Sequence, residues 1–253
     1  MKSQATLSAL FAEFPLKVLA GKLDDTQVSG IAIDSHLVRP GSLFVAMQGA
    51  SVDGHDYIAA AIQSGASAVV GDKAAGPLSV PYIQVENSRQ SLTWLAAAFY
   101  DNPGRKLTVI GVTGTDGKTT TCNLLYRILL SAGFKAGLIS TVNAVIGDEV
   151  LDTGFHVTTP DAPDVQRYLA RMVDADLTHV VLETTSHGWA QHRVDACEFD
   201  VGVVTNITHE HLDQHGSYEN YRAAKARLFQ ALALTLPKPQ GKSDLSIQKR
   251  NSF

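Results

Sequence analysis

The sequence has almost no cysteine, no excess of positive charge and no long apolar run. Cys122 and Cys197 are its only thiols. They are too few for a disulfide framework or a CxxC metal knuckle, and such usage fits a reducing cytoplasm. The formal net charge of -4 gives no electrostatic basis for a nucleic-acid or membrane partner. No apolar stretch approaches the roughly 18 residues of a membrane-spanning helix. The opening "MKSQATLSALFAEFPLK" has neither an uninterrupted apolar segment nor the cleavage pattern of a signal peptide. What remains is 253 residues, 45% hydrophobic and 18% charged, an ordinary composition that can build a sizeable core in one or two domains.

Strict versions of common motifs are missing too. Around "GVTGTDGKTTT" (111–121), position 112 is valine where G-x-x-x-x-G-K-[ST] needs glycine, and position 113 is threonine where the dinucleotide G-x-G-x-x-G needs glycine. "HEHLDQH" (209–215) is not HExxH, because Asp213 stands where the second histidine belongs. His211 and His215 have i,i+4 spacing, but no further Cys/His set closes a zinc site.

What is present alternates. Before the breaker "YDNPGRK" (100–106), the runs "GSLFVAM" (41–47), "ASAVVG" (66–71) and "PYIQVE" (81–86) read as strands. "HDYIAAAIQSGA" (55–66) and "SRQSLTWLAAAFY" (88–100) read as helices, the second with Ser88 as N-cap. After it, "KLTVIGVTG", "KAGLIS", "THVVLET" and "FDVGVVTNI" are strands. Helices begin at Lys118, at Asp161 as cap, and at Ser217. This order predicts an α/β protein: a small N-terminal α/β domain over 1–103, then a parallel-sheet, P-loop-type ATPase domain over 104–253. The polar, proline-broken tail 235–253 is irregular, and four strong strands leave that second sheet short of edges, so exposed strand edges and aggregation are expected.

Strand, glycine-rich turn and helix together make a phosphate cradle. Gly114 and Gly117 allow close backbone approach, the helix N-terminus adds partial positive charge, Lys118 would meet the β and γ phosphates, and Thr119 would place a hydroxyl on Mg²⁺. Ligands of parallel sheets bind beyond the carboxyl ends of the strands. There lie Glu183, a metal-orienting carboxylate or a helix cap, and the histidine cluster, which reads as one magnesium ligand or as exposed loop residues. Lys225 falls in the stripe Tyr218, Tyr221, Leu228, Phe229, Leu232 of its helix. A lysine there either snorkels to water or is desolvated, and a neutral amine can add CO₂ to give a carbamate able to bind Mg²⁺.

"GVTGTDGKTTT", "TTPD" (158–161), "ETTSHGWAQHRV" (183–194), "TNITHEHLDQHGSYENYRAAKARLF" (205–229) and "DSHLVRPGSLFVAMQG" (34–49), in this order over about residues 25–234, resemble the Mur ligase family. The resemblance implies an ATP-dependent amide ligase of peptidoglycan precursor synthesis. ATP would phosphorylate the free carboxylate of D-Glu in UDP-MurNAc-L-Ala-D-Glu, and a diamino acid (meso-diaminopimelate or L-lysine) would attack the acyl phosphate. It further implies that Gly114, Thr115, Asp116, Gly117, Lys118, Thr119 and Thr120 hold ATP. Thr119, Glu183, His211 and carbamylated Lys225 would serve Mg²⁺. Ser35 and the 49–52 loop would hold uridine, and Thr158, Thr159, Thr185, Gln191 and Arg193 the muramoyl-dipeptide end. The sequence departs from the family pattern at His36, Asp116 and Thr185, where Arg, Asn and Ser are commoner. The resemblance stops before the family's C-terminal ligase domain, so what it leads one to expect is a fragment inactive alone, cytoplasmic and monomeric. The alternatives are a UDP-MurNAc-dipeptide and ATP binding module without turnover, and a related ligase such as folylpolyglutamate synthase. The segment 34–49 and Q-H-R-V argue against the latter.

Overall fold

The computed structural model describes residues 4–49, 51–152, 159–208, 216–235 and 238. Its chain order begins with β1 (Ala5–Thr6), the one-turn helix α1 (Leu7–Leu10), β2 (Val18–Ala20), β3 (Gln27–Val28), β4 (Gly30–Ala32), β5 (Ser42–Val45), α2 (Ile58–Gln63), β6 (Ala68–Gly71), β7 (Tyr82–Val85) and α3 (Ser88–Phe99). Strands β4 to β7 are parallel and β2 adds an antiparallel edge, in the order β2-β7-β6-β5-β4. β5 and β6 are buried along their whole length, which is why "SLFV" and "AVVG" read as unbroken apolar runs. One face carries Leu7, Leu43, Val45, Ile83, Leu95 and Phe99, the other Phe44, Ile58, Ala61 and Val69.

A short turn, Pro103–Lys106, leads into the second sheet. There follow β8 (Thr108–Thr113), α4 (Lys118–Ser131), β9 (Ala136–Ile139), β10 (Asn143–Ile146), β11 (Glu149–Asp152), α5 (Ala162–Asp174), β12 (His179–Glu183), α6 (Ser186–Ala190), β13 (Val201–Val204) and α7 (Tyr218–Leu234). The order is β11-β10-β9-β12-β8-β13. β9, β12, β8 and β13 are parallel. The α/β class therefore holds, with parallel strands at the centre of both sheets.

Three expectations need correction. First, β10 and β11 form an antiparallel hairpin turned at Gly147 (φ 60°) that extends one side of the second sheet. The alternating "NAVIGDEVLD" is a half-exposed hairpin pattern, so the sheet has six strands rather than four. Second, Asn87, not Ser88, caps α3: its side chain accepts from the Gln90 amide at 2.9 Å, while Ser88 Oγ donates to Asp72 at 2.7 Å. Third, Asp161 holds the N-cap position of α5 as expected, but its side chain makes no cap bond. Its carboxylate lies 3.2 Å from Arg193 Nε instead.

Candidate active site

The carboxyl ends of β9, β12, β8 and β13 converge, and their loops meet at the glycine-rich turn. The register sets Glu183 of β12 beside Val112 of β8, and Val204 of β13 beside Thr113. Gly114 (φ 151°) and Gly117 (φ 75°) hold backbone angles that side chains rarely tolerate, and Gly117 stands at the N-cap of α4. The segment after β13 braces the turn. Thr115 N donates to Asn206 O (2.9 Å), Asp116 N to Asn206 Oδ1 (2.9 Å), and Thr205 Oγ1 to Asp116 O (2.6 Å). Asp116 and Thr120 are exposed, and Lys118 Nζ donates back to Thr115 O at 2.6 Å.

Glu183 is buried, 1% exposed, and does not cap a helix: Thr185 caps α6, accepting from Gly188 N at 2.9 Å. The carboxylate accepts from Thr119 Oγ1 at 3.1 and 3.0 Å, and from the Thr141 amide (3.1 Å) and hydroxyl (2.9 Å). A buried carboxylate gathered by hydroxyls at the start of α4 is a hard-oxygen donor set suited to Mg²⁺. Among the described residues no group of three or more His, Cys, Asp or Glu forms a metal cluster, so a cation here would also draw on hydroxyls and its ligand's phosphates. His211 and Thr158 lie outside the described residues.

Lys225 does not snorkel. It is 2% exposed, donates to Gly114 O at 2.5 Å, and its ammonium stands 4.5 Å from the Tyr221 ring centroid. Tyr221 Oη and Thr115 Oγ1 are 2.9 Å apart, and the Thr208 amide donates to Thr115 Oγ1 at 2.9 Å. The buried stripe of α7 is Tyr221, Ala224, Lys225 and Leu228. Phe229, read as part of that stripe, is 42% exposed, although the edge of its ring lies against Gly202 of β13.

A second feature opens nearby. A cleft of about 560 Å³ is lined from the first sheet's side by Asp34, Ser35, His36, Gly49, Val52 and, on α3, Arg89, and from the second by Asp161, Gln191 and Arg193. Arg193 is fixed by Thr159 O (2.5 Å) and Gln191 Oε1 (2.7 Å). Burial pulls its pKa down, Asp161 pushes it up and Arg89 pulls it down again. Thr159 and Thr185 hydroxyls sit 3.1 Å apart behind it. Thr141 and Arg89 were not anticipated. Arg89 had a signal: a cation in the first turn of α3 opposes the helix dipole, and it reaches Gln48 O at 2.6 Å. Burial pushes both cysteine thiols up, with Glu183 adding to the effect at Cys122, so both behave as packing residues.

A glycine-rich strand-to-helix turn backed by a buried carboxylate is the architecture of P-loop nucleotide-binding proteins. Two family models match the chain: "Mur ligase family, catalytic domain" over residues 27–100 and "Mur ligase middle domain" over 112–236. The chain belongs to the Mur ligase family. It is 46% identical over 211 residues to the UDP-N-acetylmuramyl-tripeptide synthetase of Roseiflexus sp. (strain RS-1), covering 82% of this chain and 42% of that protein. It is 43% identical over 217 residues to the UDP-N-acetylmuramoyl-L-alanyl-D-glutamate--2,6-diaminopimelate ligase of Bacteroides fragilis, covering 85% and 44%. A solved structure of a 2,6-diaminopimelate ligase of that name superposes with a TM-score of 0.76 at 28% identity, over 90% of this chain and 45% of the other. MurF from Thermotoga maritima in complex with ADP gives 0.53 at 27% identity, over 79% and 43%. The chain thus spans about two fifths of the length of the curated relatives it matches. Among the described residues no helix is long and apolar enough to cross a membrane.

Proposed function

We propose that the chain supplies the ATP and UDP-MurNAc-L-Ala-D-Glu sites of a MurE-type, ATP-dependent amide ligase of cytoplasmic peptidoglycan synthesis. The observation that carries the reading is the convergence of Lys118, Thr119, Glu183 and Lys225 at the ends of parallel strands, beside a cleft rimmed by Gln191, Arg193 and Arg89. The glycine-rich turn binds the ATP phosphates through backbone N–H groups. Lys118 leaves the Thr115 carbonyl for the β and γ phosphates. Thr119 and Glu183, with Lys225 as its carbamate and His211, hold Mg²⁺, which when bound neutralises charge on the phosphoryl group in transfer. The Arg193 fork, suited to planar anions, orients the muramoyl-dipeptide. The D-Glu carboxylate oxygen then attacks the γ phosphorus as ADP leaves. The amine of a diamino acid attacks the acyl carbon next, and phosphate leaves.

Phosphate release in the presence of UDP-MurNAc-L-Ala-D-Glu, ATP and either meso-diaminopimelate or L-lysine tests the reading, with calorimetry of each ligand alone. Binding of both ligands with phosphate release at background would assign the chain to recognition without turnover. Absence of binding by either would sink the proposal. Two substitutions sharpen it. Glu183→Gln replaces an acceptor oxygen with an NH₂ facing the Thr119 and Thr141 donors. The gain in ADP affinity on adding Mg²⁺ should shrink by about tenfold or more, read by calorimetry with and without the metal. Arg89→Met should weaken UDP binding by about tenfold, the worth of one charge-assisted contact, and leave uridine binding unchanged. Equal losses for both would remove Arg89 from the phosphate side of the cleft.

A further inference from the structure

Gln191 and Arg193 reach the cleft from a short segment whose conformation needs outside support. His192 between them has φ 57°, a left-handed angle that non-glycine residues rarely adopt. From the first sheet's side, Thr93 Oγ1 of α3 donates to His192 O. From the other side comes a residue of α7 that the site described above does not use. Arg227 Nη1 donates to Trp189 O at 2.5 Å, and Nη2 to Asp195 Oδ1 and Oδ2 at 3.1 and 2.9 Å. Its guanidinium also lies 5.8 Å from the Trp189 ring centroid. Asp195 Oδ2 accepts in addition from His192 Nδ1 at 2.6 Å. The Asp195 side chain is only 9% exposed, and its carboxylate is taken up by these two donors.

We propose that Arg227 is a positioning residue that fixes the 189–195 segment, and through it Gln191 and Arg193, relative to the helix that carries Lys225. Side chains two residues apart on a helix diverge by about 200°. Lys225 therefore faces the glycine-rich turn while Arg227 faces the cleft segment, and one rigid helix sets the distance between the two sites. The fork of an arginine serves a carbonyl and a carboxylate from two nitrogens held in one plane, whereas a lysine would have to serve both from a single nitrogen. What the cleft binds rests on the reading under Proposed function; the strut itself does not.

The test compares Arg227→Met and Arg227→Lys with the parent chain. In Arg227→Met, amide exchange at Gln191, His192 and Arg193, whose N–H groups donate to His187 O, Trp189 O and Gly188 O, should accelerate about tenfold, while α4 exchanges as before. Affinity for UDP-MurNAc-L-Ala-D-Glu should fall about tenfold and that for Mg·ADP stay within about twofold, with Arg227→Lys recovering part of the loss. Unchanged exchange at 191–193, or a matching loss of both ligands, would overturn the proposal. Should Arg227→Met fail to fold, Asp195→Asn probes the same strut with the same expected split. A parent chain that binds ADP but not the UDP-peptide would refute the cleft reading, and the exchange measurement would still decide on the strut.

Discussion

Gly114→Ala is expected to eliminate nucleotide binding and to lower the melting temperature by roughly 5–10 °C, as a loss of about 2–4 kcal/mol would in a chain of this size. A β-carbon at this position would stand 1.8 Å from Thr205 Oγ1 and 3.1 Å from Thr205 Cβ, on a backbone with φ 151°. The threonine has no easy retreat. Its hydroxyl donates to Asp116 O at 2.6 Å and its amide to Thr113 O at 3.0 Å, so moving it unties the same turn that the substitution strains. The Gly114 carbonyl is also the acceptor for Lys225, so a shifted peptide plane disturbs the buried ammonium as well. Gly117→Ala meets open space but shares a positive φ, 75°. It should lose affinity through backbone strain alone, by a smaller factor. Calorimetry with Mg·ADP separates the two. A Gly114→Ala chain that binds ADP as the parent does would mean that the phosphates sit elsewhere.

How much of this site could be read in advance depends on how local its physics is. The glycine-rich turn was legible because glycines, lysine and threonine fall between an apolar strand and a helix, and each residue's role follows from its neighbours in sequence. Lys225 was legible as an anomaly, a cation in an apolar stripe, although only the structure decides between snorkelling and its bond to Gly114 O, 111 residues away. Thr141 was not legible. Nothing in "LISTVN" marks a hydroxyl that reaches Glu183 across the β9–β12 register. Arg227 lies off the apolar stripe of α7, so sequence pattern alone gives it no role; its partners Trp189 and Asp195 stand 38 and 32 residues earlier. The same holds for the fold. Buried parallel strands announce themselves as apolar runs, whereas the exposed strand β11 and the two-residue strands β1 and β3 are defined by partners rather than by composition.

Lys225→Met should leave the fold within about 1 kcal/mol of the parent, because two terms of similar size oppose each other. Methionine matches the length of the lysine stem and fills the same space under Tyr221. Removing the ammonium relieves the desolvation of a charge that is 2% exposed, but it strips Gly114 O of the donor at 2.5 Å, a loss of about 1–3 kcal/mol if nothing replaces it. Function should move far more. In the carbamate reading the neutral amine adds CO₂ at Nζ, forming an N–C bond and releasing one proton, and the new carboxylate becomes an oxygen ligand beside Thr119 and Glu183. Methionine cannot do this, and ligase turnover should fall at least about 100-fold, the scale of removing one preorganised charge from a transition state. The chemistry can be observed without turnover: ¹³C-bicarbonate with Mg·ADP should give a carbamate carbon resonance in the parent chain that is missing from Lys225→Met. Equal spectra for the two chains would dismiss the carbamate and leave Lys225 as a structural tie, whereas a signal lost together with Mg²⁺-dependent ADP affinity would make the same lysine a metal ligand and a clamp on the glycine-rich turn.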